Sequence, residues 1–367
     1  MKSNRLFLRR HVGAVLLFGG IGICLPASGL FGQTPPTTPP AGAVTPAVQP
    51  VVTAPFQVSP VTLPPNPALP LTLNLGVWLG RPTVYIAVNG RAERLGLSTG
   101  LNANTISPTL TGLQIPNGKT KVRVDILDRE LEAPETTLDS LQFGLVKLEK
   151  VPVAQVEVVS QVSHNPHPDA PVGWLGTPFL SAFQVTLDIT HKICTLEKSV
   201  EKPTAKMPAG SIVVPMTLRD GRIYVMMTLP KSKPFPAILD TGTVGTLIPA
   251  SVGEKLKLPP LETVKLGVVG GKEVVATLIQ APSVAVGKAE CKSLRVAYLS
   301  ADASPGFGRE TAVLGLDFLS RYKVVFNFAA KKVTFIPPPG PDDPAPKTET
   351  PPKPTITRPK PGPTRPN

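Results

Sequence analysis

The chain has 367 residues, of which 41% are hydrophobic, enough for a sizeable core, but its 46 prolines exceed what packed strands and helices tolerate. Aromatic residues make up only 5%, and the net charge of +13 is not gathered into a dense Lys/Arg stripe. With little to stack bases on, a nucleic-acid partner is not expected, and the charge implies no more than generic attraction to an anionic surface.

Four basic residues (Lys2, Arg5, Arg9 and Arg10) precede an apolar run from Val12 to Leu25 and the small residues Ala27, Ser28 and Gly29. That is the pattern of a secretory signal peptide over residues 1–29, with an apolar run short for a membrane span. Ile23, directly before Cys24, stands where a lipoprotein signal wants a small residue. Export to the periplasm, cell envelope or extracellular space is therefore expected. Residues 30–70 are rich in Pro, Thr, Ala and Val and read as an extended linker, and residues 337–367 form a second, more basic proline-rich arm. Both arms are expected to be disordered spacers in loose association with the envelope.

Between the arms the apolar residues alternate with period two. "TVYIAVNG" (Thr83–Gly90), "RIYVMMTL" (Arg222–Leu229), "KVVFNF" (Lys323–Phe328) and "KKVTFI" (Lys331–Ile336) read as short strands, the last two forming a hairpin with an Ala-Ala turn. Brief helices are expected only near Pro249–Leu256 and Asp317–Tyr322. The fold class is mainly β. Asp188 and Asp317, near the starts of short segments, read as surface or capping groups.

The same patterns occur twice. "VYIAVNG…LGLSTGLNANTISP" is repeated by "IYVMMTL…AILDTGTVGTLIP", which sets Ser98 opposite Asp240, 142 residues on. "GWLGTPFLSAFQVTLDITHKICTLEK" is repeated by "AVLGLDFLSRYKVVFNFAAKKVTFIP", which sets Gly176 opposite Gly315, 139 residues on. Two anchors in one order at nearly equal offsets indicate an internal duplication, with lobes at 71–200 and 207–336.

Beyond the signal segment two cysteines remain, Cys194 and Cys291, and the sequence leaves both a disulfide and separate burial open. "SHNPHPD" offers His164, His167 and Asp169, but it reads as a polar surface loop, and no metal or cofactor is expected.

In the second repeat, "AILDTGTVGTLIP" followed by "TAVLGLDFLSRYKVVFNFAAKKVTFI" resembles the lobe of a retropepsin-like aspartic peptidase. The resemblance implies two acid-protease-like lobes. Asp240 would be catalytic, supported by Thr241, Gly242 and Thr243, with Thr241 bonding across to the other lobe. Leu314 and Gly315 would belong to the strand threading behind the loop, as would Leu175 and Gly176 in the first lobe. Gly270 and Gly271, in "LGVVGGKEVV", would form the tip of a flap over an extended peptide. The chemistry requires two carboxylates sharing one proton, so that one activates water while the other supports the developing oxyanion.

The first lobe departs from this pattern. "GLSTG" keeps Thr99 and Gly100 but puts Ser98 at the catalytic position, and a serine hydroxyl cannot share that proton. Neither Glu93 nor Asp125 is an obvious stand-in. The implied function is an aspartic endopeptidase acting on extended peptide segments of a protein substrate. Its second carboxylate would then come from another chain in a homodimer. The alternative is a catalytically inactive peptide-binding or scaffolding protein of the envelope.

Overall fold

The computed structural model describes residues 61–339, except 109–114, 117, 119, 127–128, 157–169, 203–206, 268–272 and 300–310. Three sheets carry the described chain, and two of them repeat one another. The first lobe is built from β2 (Gly76–Trp78), β3 (Arg81–Val88), β4 (Arg91–Leu97), β5 (Thr105–Ile106), β6 (Thr120–Ile126), β7 (Arg129–Phe143), β8 (Val146–Gln155) and β9 (Gly173–Leu175), in the spatial order β2-β3-β4-β9-β5-β8-β7-β6. The second lobe contains β13 (Thr217–Arg219), β14 (Arg222–Thr228), β15 (Phe235–Leu239), β16 (Thr246–Ile248), β17 (Pro260–Gly267), β18 (Glu273–Val286), β19 (Ala289–Leu299) and β20 (Ala312–Leu314). Its order, β13-β14-β15-β20-β16-β19-β18-β17, matches the first strand for strand.

The alternation seen in the sequence sets the strand faces. In β3, Val84, Ile86 and Val88 are buried while Tyr85 faces out; in β14, Ile223, Val225 and Met227 are buried while Met226 faces out. The β2–β3 and β13–β14 hairpins close through Leu79-Gly80 and Asp220-Gly221, and all four residues have positive φ. Such two-residue turns match the twist of antiparallel strands. Each turn delivers an arginine, Arg81 or Arg222, to the start of the next strand.

The lobes are joined by a six-stranded sheet of β1 (Leu71–Asn74), β11 (Ile193–Lys198), β10 (Phe183–Asp188), β21 (Lys323–Asn327), β22 (Lys332–Ile336) and β12 (Ile212–Pro215), in that spatial order. Its central pair, β10 and β21, comes from different lobes and runs antiparallel, with Val185 opposite Phe326. The expected β21–β22 hairpin is present, turning through residues 328–331. One apolar core runs through both lobes and beneath this sheet. Phe143, Phe179 and Phe183 pack edge-on or tilted in the first lobe, and Phe318, Tyr322 and Phe335 do so in the second. The short helices are α1 (Thr177–Leu180), α2 (Ala250–Leu256) and α3 (Leu316–Leu319).

Cys194 and Cys291 are both buried free thiols, so no disulfide joins them. Burial pushes the Cys194 thiol up to about 12 and is the main cause that pushes the Cys291 thiol up to about 11. Little thiolate forms at neutral pH. Both are therefore expected to resist iodoacetamide in the native protein and to react fully in guanidinium, as read by peptide mass mapping.

Candidate active site

The two loops that follow β4 and β15 meet at the lobe boundary. Each is fixed from behind by the threading strand: the Ser98 amide donates to the Leu175 carbonyl at 3.0 Å and the Asp240 amide to the Leu314 carbonyl at 3.1 Å. The glycines after those strands allow close approach. A Cβ on Gly176 would lie 2.2 Å from the Ala103 carbonyl oxygen, and one on Gly315 would lie 2.6 Å from the Gly245 carbonyl oxygen. Only a residue without a side chain fits at either place.

Thr99 and Thr241 then exchange hydrogen bonds across the boundary. The Thr99 hydroxyl donates to the Leu239 carbonyl at 2.7 Å and accepts from the Thr241 amide at 3.1 Å. Reciprocally, the Thr241 hydroxyl donates to the Leu97 carbonyl at 2.9 Å and accepts from the Thr99 amide at 3.1 Å. Both threonines are buried, so these bonds form away from competing water.

This exchange brings Ser98 and Asp240 face to face. The Ser98 hydroxyl donates to Asp240 Oδ1 at 2.8 Å. The amides of Gly242 and Gly100 donate to the same oxygen at 2.7 and 3.2 Å, and the Thr243 hydroxyl donates to Oδ2 at 2.6 Å. Four donors therefore converge on one buried carboxylate, from both lobes. Among the described residues no second carboxylate stands opposite; that place is held by the serine. A Cβ on Gly100 would lie 2.3 Å from Asp240 Cγ, and one on Gly242 would lie 2.6 Å from Ser98 Oγ, so both glycines are needed for this approach.

Two arginines, Arg81 buried and Arg222 half-buried, flank the loops. Arg81 Nε donates to the Gly242 carbonyl at 2.7 Å, tying the first lobe to the loop of the second. Burial lowers its guanidinium below the ordinary range, and the Asp240 charge opposes that shift. Its repeat counterpart, Arg222, crosses the other way: Nη2 lies 3.2 Å from Asp125 Oδ2, while Arg123 Nε holds Asp125 Oδ1 at 2.7 Å. Asp125 thus sits in a cross-lobe ion-pair network at the turn end of the β6–β7 hairpin, opposite Glu130, and its amide donates to Asn102 Oδ1 at 2.8 Å.

Of the residues singled out in the sequence, Ser98, Thr99, Gly100, Asp240, Thr241, Gly242 and Thr243 converge here, with Leu175, Gly176, Leu314 and Gly315 directly behind. The flap glycines Gly270 and Gly271 lie outside the described residues, as do His164, His167 and Asp169. Among the described residues no cluster of His, Cys, Asp or Glu has metal-site geometry. Arg81 and Arg222 were missed. The signal for them was the repeated Gly-Arg pair, Gly80-Arg81 and Gly221-Arg222.

Asp188 caps a turn, accepting from the His191 amide at 3.0 Å. Asp317 is not a surface group. It accepts from the Thr246 amide at 2.8 Å, the Thr246 hydroxyl at 2.6 Å and the Phe318 amide at 2.8 Å, locking α3 to β16 behind the Asp240 loop. Burial outweighs these bonds and raises its carboxyl to about 6.

With this geometry in view, the comparisons with known proteins bear on the second lobe. Residues 225–318, which contain the Asp-Thr-Gly loop and its threading strand, match the family model described as aspartyl protease. A solved aspartic proteinase from Irpex lacteus is similar at 16% identity and a TM-score of 0.45, over 73% of this chain and 97% of that one. No curated protein matches the chain.

Replacing Thr241 with Val removes two cross-lobe bonds and leaves the Leu97 carbonyl and Thr99 amide unpaired. It is expected to lower unfolding stability by roughly 2–4 kcal/mol, read from urea denaturation. Asp317 gives a pH signature. Its folded value of about 6 lies above the ordinary carboxylate value, so the folded state holds the proton more tightly. Its contribution is complete below about pH 4 and is lost as pH rises through the folded value. Thermal unfolding midpoints should fall over that window, and Asp317→Asn should flatten the slope.

Proposed function

We propose that this chain binds an extended peptide segment in the cleft between its lobes without cutting it. One observation carries this reading: Ser98 Oγ stands 2.8 Å from Asp240 Oδ1, where a proton-sharing dyad needs a second carboxylate. Hydrolysis through such a dyad needs one carboxylate as base toward water and a second, protonated one to support the oxyanion. Ser98 donates its hydrogen to Asp240 and supplies no second acid. What the site keeps is a rigid, two-sided floor of backbone and hydroxyl groups, suited to recognising a main chain.

The competing reading is an aspartic endopeptidase completed by the Asp240 of another chain. It would have to break the Thr99–Thr241 exchange and the β10–β21 pairing, both satisfied within one chain. The same proposal includes export by the N-terminal segment, with the proline-rich arms acting as spacers at the envelope.

Incubation of the natural chain with a proteome-derived peptide library between pH 3 and 7 tests the reading. Mass spectrometry should recover bound peptides uncut. Cleavage that disappears in Asp240→Asn would overturn it.

A further inference from the structure

The face of the first-lobe sheet that leads away from the Ser98 loop is unlike its counterpart. One lateral row of this sheet runs Gly76, Thr83, Gly96, Trp174 and Thr105, each opposite the next on neighbouring strands. In the second lobe the matching row is Thr217, Tyr224, Ile238, Val313 and Leu247. Ile238, Val313 and Leu247 are buried apolar side chains, and Val313 and Leu247 pack into a core with Leu266, Ala276, Leu278, Ala297 and Leu299. Gly96 and Ile238 hold equivalent places, two residues before Ser98 and Asp240 on the same face of their strands.

Where the second lobe has Ile238, the first has no side chain, and the Trp174 indole occupies the space. A Cβ on Gly96 would lie 2.2 Å from Trp174 Cε3. The indole Nε1 and the Thr83 hydroxyl, on the strands to either side of Gly96, are both buried and have no hydrogen-bond partner. Leaving two such buried groups unpaired is costly, so they mark a place for an acceptor.

The next row outward pairs Tyr85 with Arg94, whose guanidinium lies over the tyrosine ring at 5.1 Å. Arg94 reaches back over the polar row, where Nη2 would lie 3.3 Å from a Cβ on Gly76. Arg81, two residues before Thr83 and on the same face, adds a second cation on the cleft side. Two donors between two guanidinium groups suit a carboxylate better than a neutral acceptor.

We propose that the Thr83–Gly96–Trp174 row is a specificity pocket for an acidic side chain of the bound peptide. The inference rests on the peptide-binding reading above and adds polarity to it: the carboxylate lies on the Ser98 side.

The test uses capped heptapeptides identical except at one scanned position, which carries Glu, Gln or Leu. Binding is followed by the indole N–H signals of the whole 15N-labelled protein, with Trp174→Phe assigning the Trp174 peak. At one position the Glu peptide should bind about tenfold tighter than the Leu peptide and shift the Trp174 signal, and Thr83→Val should remove most of that preference. Peptides that bind with equal affinity across the series, or leave the Trp174 signal unmoved, overturn the acidic pocket while the peptide-binding reading stands. If no peptide binds, the peptide-binding reading fails and the pocket with it.

Discussion

The exchange of hydroxyl and backbone hydrogen bonds between Thr99 and Thr241 is the contact on which the rest of the site depends. Each threonine satisfies a backbone group of the other lobe, so neither loop is complete without its partner. The glycines on either side let the loops approach until Ser98 touches Asp240. Arg81 adds a charged tie from one lobe to the other, and the β10–β21 pairing closes the assembly from beneath. All of these bonds are made within one chain.

The duplicated scaffold has held while its chemistry diverged. Strand order, threading strands, hairpin turns and cross-lobe threonines are the same in both lobes, since each solves a backbone problem that admits few substitutes. The side chains that face a ligand are under no such constraint, and there the lobes differ. Serine replaces a carboxylate at the centre of the cleft. One row out, glycine and an unpaired indole replace buried apolar side chains. A centre with one carboxylate and a serine opposite it supports the proposal that the chain reads an extended segment without cutting it.

Much of this was legible in the sequence because it lies in residues that cannot be exchanged. The Thr-Gly pairs and the Leu-Gly pairs give the duplication, the loops and the threading strands directly. The confrontation of Ser98 with Asp240 followed once the repeats were aligned, but whether it arose within one chain depended on side-chain contacts between segments 142 residues apart. Arg222 and Asp125 were not linked, because nothing local to either residue announces an ion pair across a lobe boundary. Asp317 read as a surface or capping group; it is half-buried and turned inward because the Thr246 amide and hydroxyl, enclosed behind the loop, need an acceptor. The unlike rows of the two lobes become visible only when strand registers place Thr83, Gly96 and Trp174 in one row.

We propose that one chain carries a cleft complete but for its second carboxylate. Ser98→Asp tests this most directly, with cleavage of a peptide library between pH 3 and 7 followed alongside the mass in solution. The variant should acquire peptidase activity as a monomer and lose it again when Asp240→Asn is added. Activity of equal size in the unaltered chain, or activity that appears only in a dimer, would contradict it.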